Sequence, residues 1–269
     1  MDHYRKIALP KELEAYRNEI EKQVKPFIRI TGNKGDTSLL QSKFGGAPYL
    51  PKTMDHPKDE SGRAMKLLAQ INFEEVPTLQ SFPPKGMLQF YLSIDDDGYG
   101  LDFDNPTKQK NYRIMYHPEI LTDDDLLVTD FSYMDDFDED YFPLEETALS
   151  FEQDYETVSV ADYRFENVDI DLEQVVGEGE DGEITLWEVY AEELSNEGHK
   201  MGGYAFFTQV DPREDEKKYR NHTITLLQID TDDDLDIMWG DAGVANFFIK
   251  EEDLLKLDFS NVLYNWDCH

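Results

Sequence analysis

The most regularly spaced acidic residues of the sequence lie between residues 230 and 241. Their positions in this stretch, 1, 3, 5, 7 and 12, are positions that supply oxygen ligands in an EF-hand calcium loop. They are Asp230, Asp232, Asp234, Asp236 and Asp241. Leu235 stands where that loop requires a glycine, and Asp241 stands where it has a bidentate glutamate. The stretch therefore predicts a solvated turn, and the sequence predicts no metal site.

The other motifs that could do chemistry are incomplete. The six histidines lack the spacings of zinc-binding helices, and one cysteine is too few for a structural zinc site. Residues 177–182 satisfy G-x-G-x-x-G, but the three acidic residues among them would repel a pyrophosphate. Cys268 stands next to His269, yet a nucleophilic cysteine also needs a group that orients the histidine. The sequence therefore predicts no cofactor and leaves catalysis undecided, with a non-enzymatic role favoured.

A further set of polar residues lies in or beside apolar segments. Gln70 and Gln228 interrupt apolar strands, and Asp241 and Asn246 follow Trp239. An inward-pointing amide or carboxylate needs a partner, which is backbone, water or a ligand. If a ligand is bound, we expect it where these groups meet two glycine pairs, with tyrosine or tryptophan as an apolar wall. The candidate residues are Gly45, Gly46, Tyr49, Gln70, Gly202, Gly203, Gln228, Trp239, Asp241, Asn246 and Trp266.

The glycine pairs belong to two similar stretches of the chain. Gly45, Leu67, Gln70 and Gly86 have counterparts about 158 positions further along. One duplication of this size predicts two related β units that share a core. Paired glycines suit a bend with positive φ or the close approach of a backbone or ligand. We predict one domain over residues 1–269, with a pseudo-repeat over about 42–94 and 199–249 joined by an acidic connection over 119–183.

Several of these segments resemble the bacterial YwqG-like family. The resemblance rests on Phe44-Gly45-Gly46-Ala47-Pro48-Tyr49-Leu50-Pro51, Leu68-Ala69-Gln70-Ile71, Gly86-Met87-Leu88-Gln89-Phe90-Tyr91, Trp239-Gly240-Asp241-Ala242-Gly243, and residues 258–260 and 266–268. It extends from about residue 42 to the C-terminus. The resemblance implies a mainly β, roll-like fold and leaves the function open, because the biochemical role of that family is undefined.

The chain is strongly acidic, with 59 Asp and Glu residues against 25 Lys and Arg and a net charge of −34. Such a surface repels nucleic-acid phosphates and anionic lipids, so we expect no direct binding to nucleic acid or membrane. A basic protein is the expected partner if there is one. No apolar stretch is long enough for a membrane span, and there is no apolar secretion signal. These features predict a cytoplasmic protein.

The pattern of apolar residues predicts a mainly β (α+β) fold, a roll-like body of antiparallel strands with a few peripheral helices. An N-terminal helix is indicated by Leu13, Tyr16, Ile20 and Val24. A second helix is predicted over residues 143–151. Longer apolar strands are predicted around residues 67–72, 87–94, 223–229 and 245–249.

Three functional hypotheses remain open from the sequence. The first is a non-enzymatic binding protein that recognises a partner through its acidic surface. The second is a small-ligand receptor or enzyme with its site at the junction of the two repeats. The third is an acidic mimic of nucleic acid, which requires carboxylates spaced regularly along one face.

Overall fold

A computed structural model describes residues 7–93, 98–134, 144–179 and 182–269 of the chain. These residues form a mainly β fold, as the sequence predicts. The strands are β1 Lys25–Lys34, β2 Lys43–Phe44, β3 Lys66–Asn72, β4 Met87–Leu92, β5 Tyr112–His117, β6 Thr147–Glu156, β7 Val175–Gly179, β8 Gly182–Thr185, β9 Lys200–Gly202, β10 Ile224–Asp230, β11 Val244–Ile249 and β12 Leu263–Asp267. The α-helices are α1 Arg17–Glu21, α2 Leu186–Glu193, α3 Pro212–Asp215 and α4 Glu251–Leu255.

Ten of the strands form one antiparallel sheet with β1 and β6 at its centre. The strand order is β12-β11-β10-β9-β1-β6-β2-β3-β4-β5, and β7 and β8 form a separate hairpin. Outward from the centre, the strands therefore follow chain order on both sides. The pairing of β3 with β4 shifts register between Leu67 and Ala69, and that of β10 with β11 shifts between Thr225 and Leu227. Each shift lies just before the buried glutamine of its strand.

The helix predicted over residues 143–151 is wrong. The described part of this segment enters β6, which pairs with β1 from Lys25 opposite Glu156 to Lys34 opposite Thr147. Ten consecutive cross-strand pairs satisfy the backbone of both strands, and this tertiary pairing outweighs the local preference of the segment.

The sheet curls around a single large apolar core. Phe90 of β4 lies 4.9 Å from Phe247 of β11 between ring centroids, and Phe247 stacks on Tyr264 at 4.5 Å. The two edge strands are also connected, because the rings of Tyr112 and Tyr264 lie 5.2 Å apart and the Tyr112 hydroxyl donates to the carbonyl of Val262, just before β12, at 2.7 Å. A fully buried Phe contributes about 1.5–3 kcal/mol, so these contacts stabilise the curled form.

The N-terminal helix forms but is shorter than the sequence pattern suggests. A 3-10 turn over Glu14–Tyr16 precedes α1, and Leu13 and Ile20 pack against Leu186 and Tyr190 of α2. Among the helices of residues 7–93, 98–134, 144–179 and 182–269, none could serve as a membrane span.

Candidate functional site

Gln70 is fully buried in β3, and its amide is bonded on both ends. Its Oε1 accepts hydrogen bonds from the backbone N–H of Tyr49 and from Nε2 of Gln89, both at 2.8 Å. Its Nε2 donates to the carbonyls of Leu39 at 2.8 Å and Gln41 at 2.9 Å. The side chain therefore ties the segment around the first glycine pair to the sheet.

Gln228 is used in the same way on the other side of the sheet. Its Oε1 accepts from the N–H of Phe206 at 2.8 Å, and its Nε2 donates to the carbonyls of Asn196 and Gly198 at 3.0 and 2.8 Å. Nδ2 of Asn246 donates to the carbonyl of Phe206 at 2.8 Å. The loop after the second glycine pair is thus held to β10 and β11 by two side-chain amides.

The tryptophans and Asp241 form a third group. Trp239 is fully buried, and the Tyr99 ring lies edge-on to Trp239 at 5.3 Å and to Trp266 at 4.9 Å. The Trp266 indole donates to the carbonyl of Gly98 at 2.9 Å. The Asp241 side chain is exposed. The structure therefore joins Tyr49 to Gln70, Gln228 to Asn246, and Trp239 to Trp266 through Tyr99. No hydrogen bond or ring contact of the described residues joins these three groups to one another.

Both glycine pairs occupy left-handed backbone conformations, with φ of 60° and 69° at Gly45 and Gly46 and 77° and 62° at Gly202 and Gly203. A carboxylate packs against the second glycine of each pair. A Cβ on Gly46 would lie 2.6 Å from Oε1 of Glu146, and one on Gly203 would overlap Oε1 of Glu156. Both the backbone angle and the space therefore require glycine at these positions.

A cleft of about 600 Å³ opens beside the first glycine pair. Its apolar wall consists of Pro48, Leu67, Phe131, Met134 and Leu144. Its charged residues are Glu145, Glu146, Asp236 and Lys66. Gly46 is the one member of the predicted candidate set that lines it. A cleft of this size is in the range of ligand and peptide sites.

His56 lies at the centre of an aromatic cluster in this cleft. Its Nε2 donates to the carbonyl of Met65 at 2.7 Å, so Nδ1 accepts from the Tyr133 hydroxyl at 2.9 Å in the neutral ring. Burial lowers the pKa of His56, which favours this neutral form. The rings of Tyr91, Phe131 and Tyr133 stand edge-on to His56 at 5.7, 6.4 and 5.6 Å. Because both ring nitrogens are engaged, His56 is not a free general base.

Tyr91 adds an unused polar group beneath His56. Its side chain is fully buried, and its hydroxyl has no hydrogen-bond partner among the described residues. Burial raises the pKa of Tyr91, with a smaller contribution from Tyr133, so the group remains a neutral hydroxyl. A buried hydroxyl without a partner costs about 1–3 kcal/mol, and Tyr91 is not among the residues that line the cleft.

The regularly spaced aspartates near the C-terminus form a capped turn. Asp232 accepts the N–H groups of Asp234 at 3.0 Å and Leu235 at 3.1 Å at the start of a 3-10 turn, and Asp236 forms an ion pair with Lys34. Within the described ranges, no group of three or more His, Cys, Asp or Glu side chains is placed to hold a metal ion.

The aromatic cleft was missed by reasoning from the sequence. Its two walls come from residues 46–67 and from Phe131, Met134 and residues 144–146, which are distant in the chain. Pro51 and Leu127 form an isolated bridge, and Lys52 N–H donates to the carbonyl of Leu126 at 2.8 Å. The only local signals were the proline-rich loop around His56 and the aromatic residues within the acidic connection.

The chain was compared with curated proteins and with known protein families. A search of the curated proteins found no match to the chain. Residues 42–268 match a family whose description is "Domain of unknown function (DUF1963)". This range contains both glycine pairs, both buried glutamines and the cleft. The chain therefore belongs to the DUF1963 family.

Proposed function

We propose that this protein is a non-enzymatic binding protein that takes up a basic, partly apolar segment of another protein in the cleft beside Gly46. The observation that carries the proposal is the juxtaposition of an aromatic and apolar wall with carboxylates in that cleft. Phe131 and Met134 line it together with Glu145 and Glu146. Its third carboxylate, Asp236, is paired with Lys34, and Lys66 also lines the cleft. A lysine or arginine side chain presents an apolar stem and a charged head, and this cleft offers a surface for each.

The surface next to the cleft supports the same kind of partner. Met54, Leu126 and Tyr133 are exposed large hydrophobic side chains on the two loops that form its walls. Asp123, Asp124, Asp125 and Asp130 are exposed on the same connection. Residues 135–140, which complete the acidic run of this connection, lie outside the described residues. Aromatic rings attract cations by about 0.5–1 kcal/mol at exposed sites, and the carboxylates add to that attraction.

Burial of basic residues does not change the acidic balance of the accessible surface, because buried aspartates accompany them. Lys43, Lys200 and Arg213 are fully buried or nearly so, and only 14% of the Arg164 side chain is exposed. Lys200 is paired with Glu156, and Arg164 and Arg213 are paired with Asp162. A basic partner would therefore approach a strongly negative surface, which accelerates association and makes its rate sensitive to salt.

A labelled peptide tests the proposal, because the natural partner is not identified. The probe is a fluorescein-labelled peptide of alternating lysine and leucine, and the control peptides replace all lysines with glutamate or all leucines with serine. We expect the lysine–leucine peptide to bind most tightly by fluorescence anisotropy, with affinity that falls between about 0.05 and about 0.3 M salt.

The decisive comparison uses two variants of the protein. Phe131→Ala with Met134→Ala truncates two of the five residues of the apolar wall, and Phe103→Ala removes an exposed ring elsewhere. The cleft variant should bind the lysine–leucine peptide about tenfold more weakly, a loss of about 1.4 kcal/mol, while Phe103→Ala binds like the unaltered protein. Equal affinity of both variants for the peptide would mean that the peptide binds the acidic surface in general and not the cleft, which would overturn the proposal. Absence of peptide binding to the unaltered protein would also overturn it.

We also infer that residues 42–94 and 199–249 are copies of one ancestral unit within one domain. The strand order on the two sides of the sheet, the two register shifts and the matched bonds of Gln70 and Gln228 support this inference. Membership of the YwqG-like group and a cytoplasmic location remain expectations from the sequence.

A further inference from the structure

A second cavity, of about 540 Å³, lies where the edge strand β5 meets the segment between α4 and β12. It is lined from β5 by Arg113, Ile114 and Tyr116 and from the other segment by Leu257, Phe259 and Ser260. No described aspartate or glutamate lines this cavity, whereas the cleft beside Gly46 contains three carboxylates. In a chain with 59 acidic residues, this cavity is therefore a local exception to the negative surface.

Gln109 holds the two sides of this cavity together. Its Oε1 accepts the backbone N–H of Ile114 at 2.8 Å, and its Nε2 donates to the carbonyl of Phe259 at 2.5 Å. The rings of Tyr116 and Phe259 lie 5.4 Å apart, and Leu257 adds exposed apolar surface. The cavity therefore has a preformed wall that is aromatic and apolar.

Arg113 supplies charged donors that the described residues leave unused. Its Nη2 donates to the backbone carbonyl of Gln109 at 3.1 Å, which orients the guanidinium. Unlike the buried Nε, Nη1 is accessible to solvent, and it has no hydrogen-bond or ion-pair partner among the described residues. A carboxylate pairs with each of five other arginines, which are Arg17, Arg29, Arg164, Arg213 and Arg220. Arg113 therefore lacks the kind of partner that the chain provides elsewhere.

We propose that this cavity binds a small aromatic carboxylate, with the carboxylate accepting from Nη1 of Arg113 and the ring against Phe259 and Leu257. A guanidinium donates strong, charge-assisted hydrogen bonds to a carboxylate. The net charge of −34 does not prevent this binding, because charges more than about 8 Å away are largely screened at about 0.15 M salt. The cavity shares no lining residue with the cleft beside Gly46, so its test is independent of the peptide experiment.

Ligand-observed NMR titrations with benzoate and benzamide test the proposal. The two probes have the same ring and nearly the same shape, and they differ in the negative charge. We expect benzoate to bind at one saturable site and benzamide to bind at least about fivefold more weakly, a difference of about 1 kcal/mol. Equal affinity for both probes, or the absence of saturable benzoate binding, would overturn the proposal.

Matched arginine variants locate the binding. Arg113→Met keeps an apolar stem but removes the guanidinium, and Arg29→Met removes the same charge from the central strand β1. We expect Arg113→Met to weaken benzoate binding at least about fivefold and to leave benzamide binding unchanged. Arg29→Met should bind both probes like the unaltered protein, because Arg29 does not line this cavity.

Leu257→Asn provides a second variant if Arg113→Met does not fold. Leu257 is exposed and left-handed, with φ of 57°, a conformation that asparagine tolerates. Loss of its apolar surface should weaken the binding of benzoate and benzamide alike, by about threefold. Unchanged benzoate affinity in Leu257→Asn, or in folded Arg113→Met, would contradict the assignment.

Discussion

Gln70 and Gln228 make the same hydrogen bonds on opposite sides of the central strands. Oε1 of Gln70 accepts the N–H of Tyr49 and Oε1 of Gln228 accepts the N–H of Phe206, both at 2.8 Å. In each case Nε2 donates to two carbonyls of the segment that precedes the glycine pair. Each amide therefore completes the backbone bonding of a loop that leaves the sheet at two left-handed glycines, which explains a buried polar side chain in an apolar strand.

Replacing either glutamine with methionine should strongly destabilise the fold. Methionine fills a similar volume but leaves several buried backbone groups without partners, each of which costs about 1–3 kcal/mol. We expect Gln70→Met and Gln228→Met each to lower the free energy of unfolding by about 3 kcal/mol or more, measured by urea denaturation. Gln153→Met, at an exposed position of β6, is the control and should change it by less than about 0.5 kcal/mol. Similar values for all three variants would contradict the bonding role.

Gly203→Ala should be more destabilising than Gly62→Ala. Both glycines have positive φ, 62° and 82°, but a Cβ at Gly203 would overlap Glu156, whereas nothing lies within 4 Å of one at Gly62. Gly62→Ala therefore measures the backbone cost alone, about 1–2 kcal/mol. We expect Gly203→Ala to cost at least about 1 kcal/mol more, because Glu156 must move away from Lys200 and Tyr204. Equal thermal and urea midpoints for the two variants would show that Glu156 adapts freely.

Asp230 should make the fold less stable as the pH rises from about 4 to about 6. Burial raises the pKa of Asp230 to about 6, against hydrogen bonds from the N–H groups of Gly198 and Thr231. The folded state therefore binds this proton more tightly than the unfolded state, where the pKa is about 3.9. The contribution to stability is present below about pH 4 and is lost through about pH 6, an effect of about 2–3 kcal/mol.

Asp230→Asn tests this pH dependence. The variant should show a flatter dependence of the unfolding free energy on pH across that range than the unaltered protein. The exposed Asp234→Asn is the control and should retain the original slope. Parallel pH profiles for Asp230→Asn and the unaltered protein would contradict the prediction.

Arg213→Met should unfold more readily than the matched surface variant Arg220→Met. Arg213 is fully buried and donates to Oδ2 of Asp211 at 2.8 Å and Oδ2 of Asp162 at 3.1 Å. Removing one partner of a buried ion pair costs about 3–5 kcal/mol because a charge is left uncompensated. The Arg220 pair with Glu166 is partly exposed, so its loss should cost only about 0–1 kcal/mol. Urea denaturation measures the free energy of unfolding of both variants. Equal losses would contradict the prediction that the buried ion pair contributes more to stability than the exposed one.

The acid stability of the variant gives a second measurement on the same cluster. Burial alone would raise the pKa of Asp162, but Arg164 and Arg213 lower it to about 2. This carboxylate therefore contributes stability that is present above about pH 4 and is lost as the pH falls toward 2. Arg213→Met should reduce that acid-sensitive contribution, visible as a shallower loss of stability between about pH 4 and about pH 3.

The helix predicted over residues 143–151 shows the limit of local reasoning. The sequence of this segment does not contain the information that β1 will lie beside it, and the five cross-strand pairs of residues 147–151 with β1 determine their conformation. The same limit applies to the cleft, because His56 and Phe131 become neighbours only through contacts between distant loops.

What the sequence determined by itself was local: the mainly β class, the glycines at left-handed turns, and the need of Gln70 and Gln228 for partners. These follow from side-chain alternation, backbone sterics and the cost of burying an unpaired amide, which do not depend on distant residues. Only the tertiary structure decided which strands lie side by side, which basic residues are buried, and which side chains line each cavity. Those features depend on pairings between residues far apart in the chain, where many arrangements satisfy the same local pattern and the packing of the whole sheet selects one.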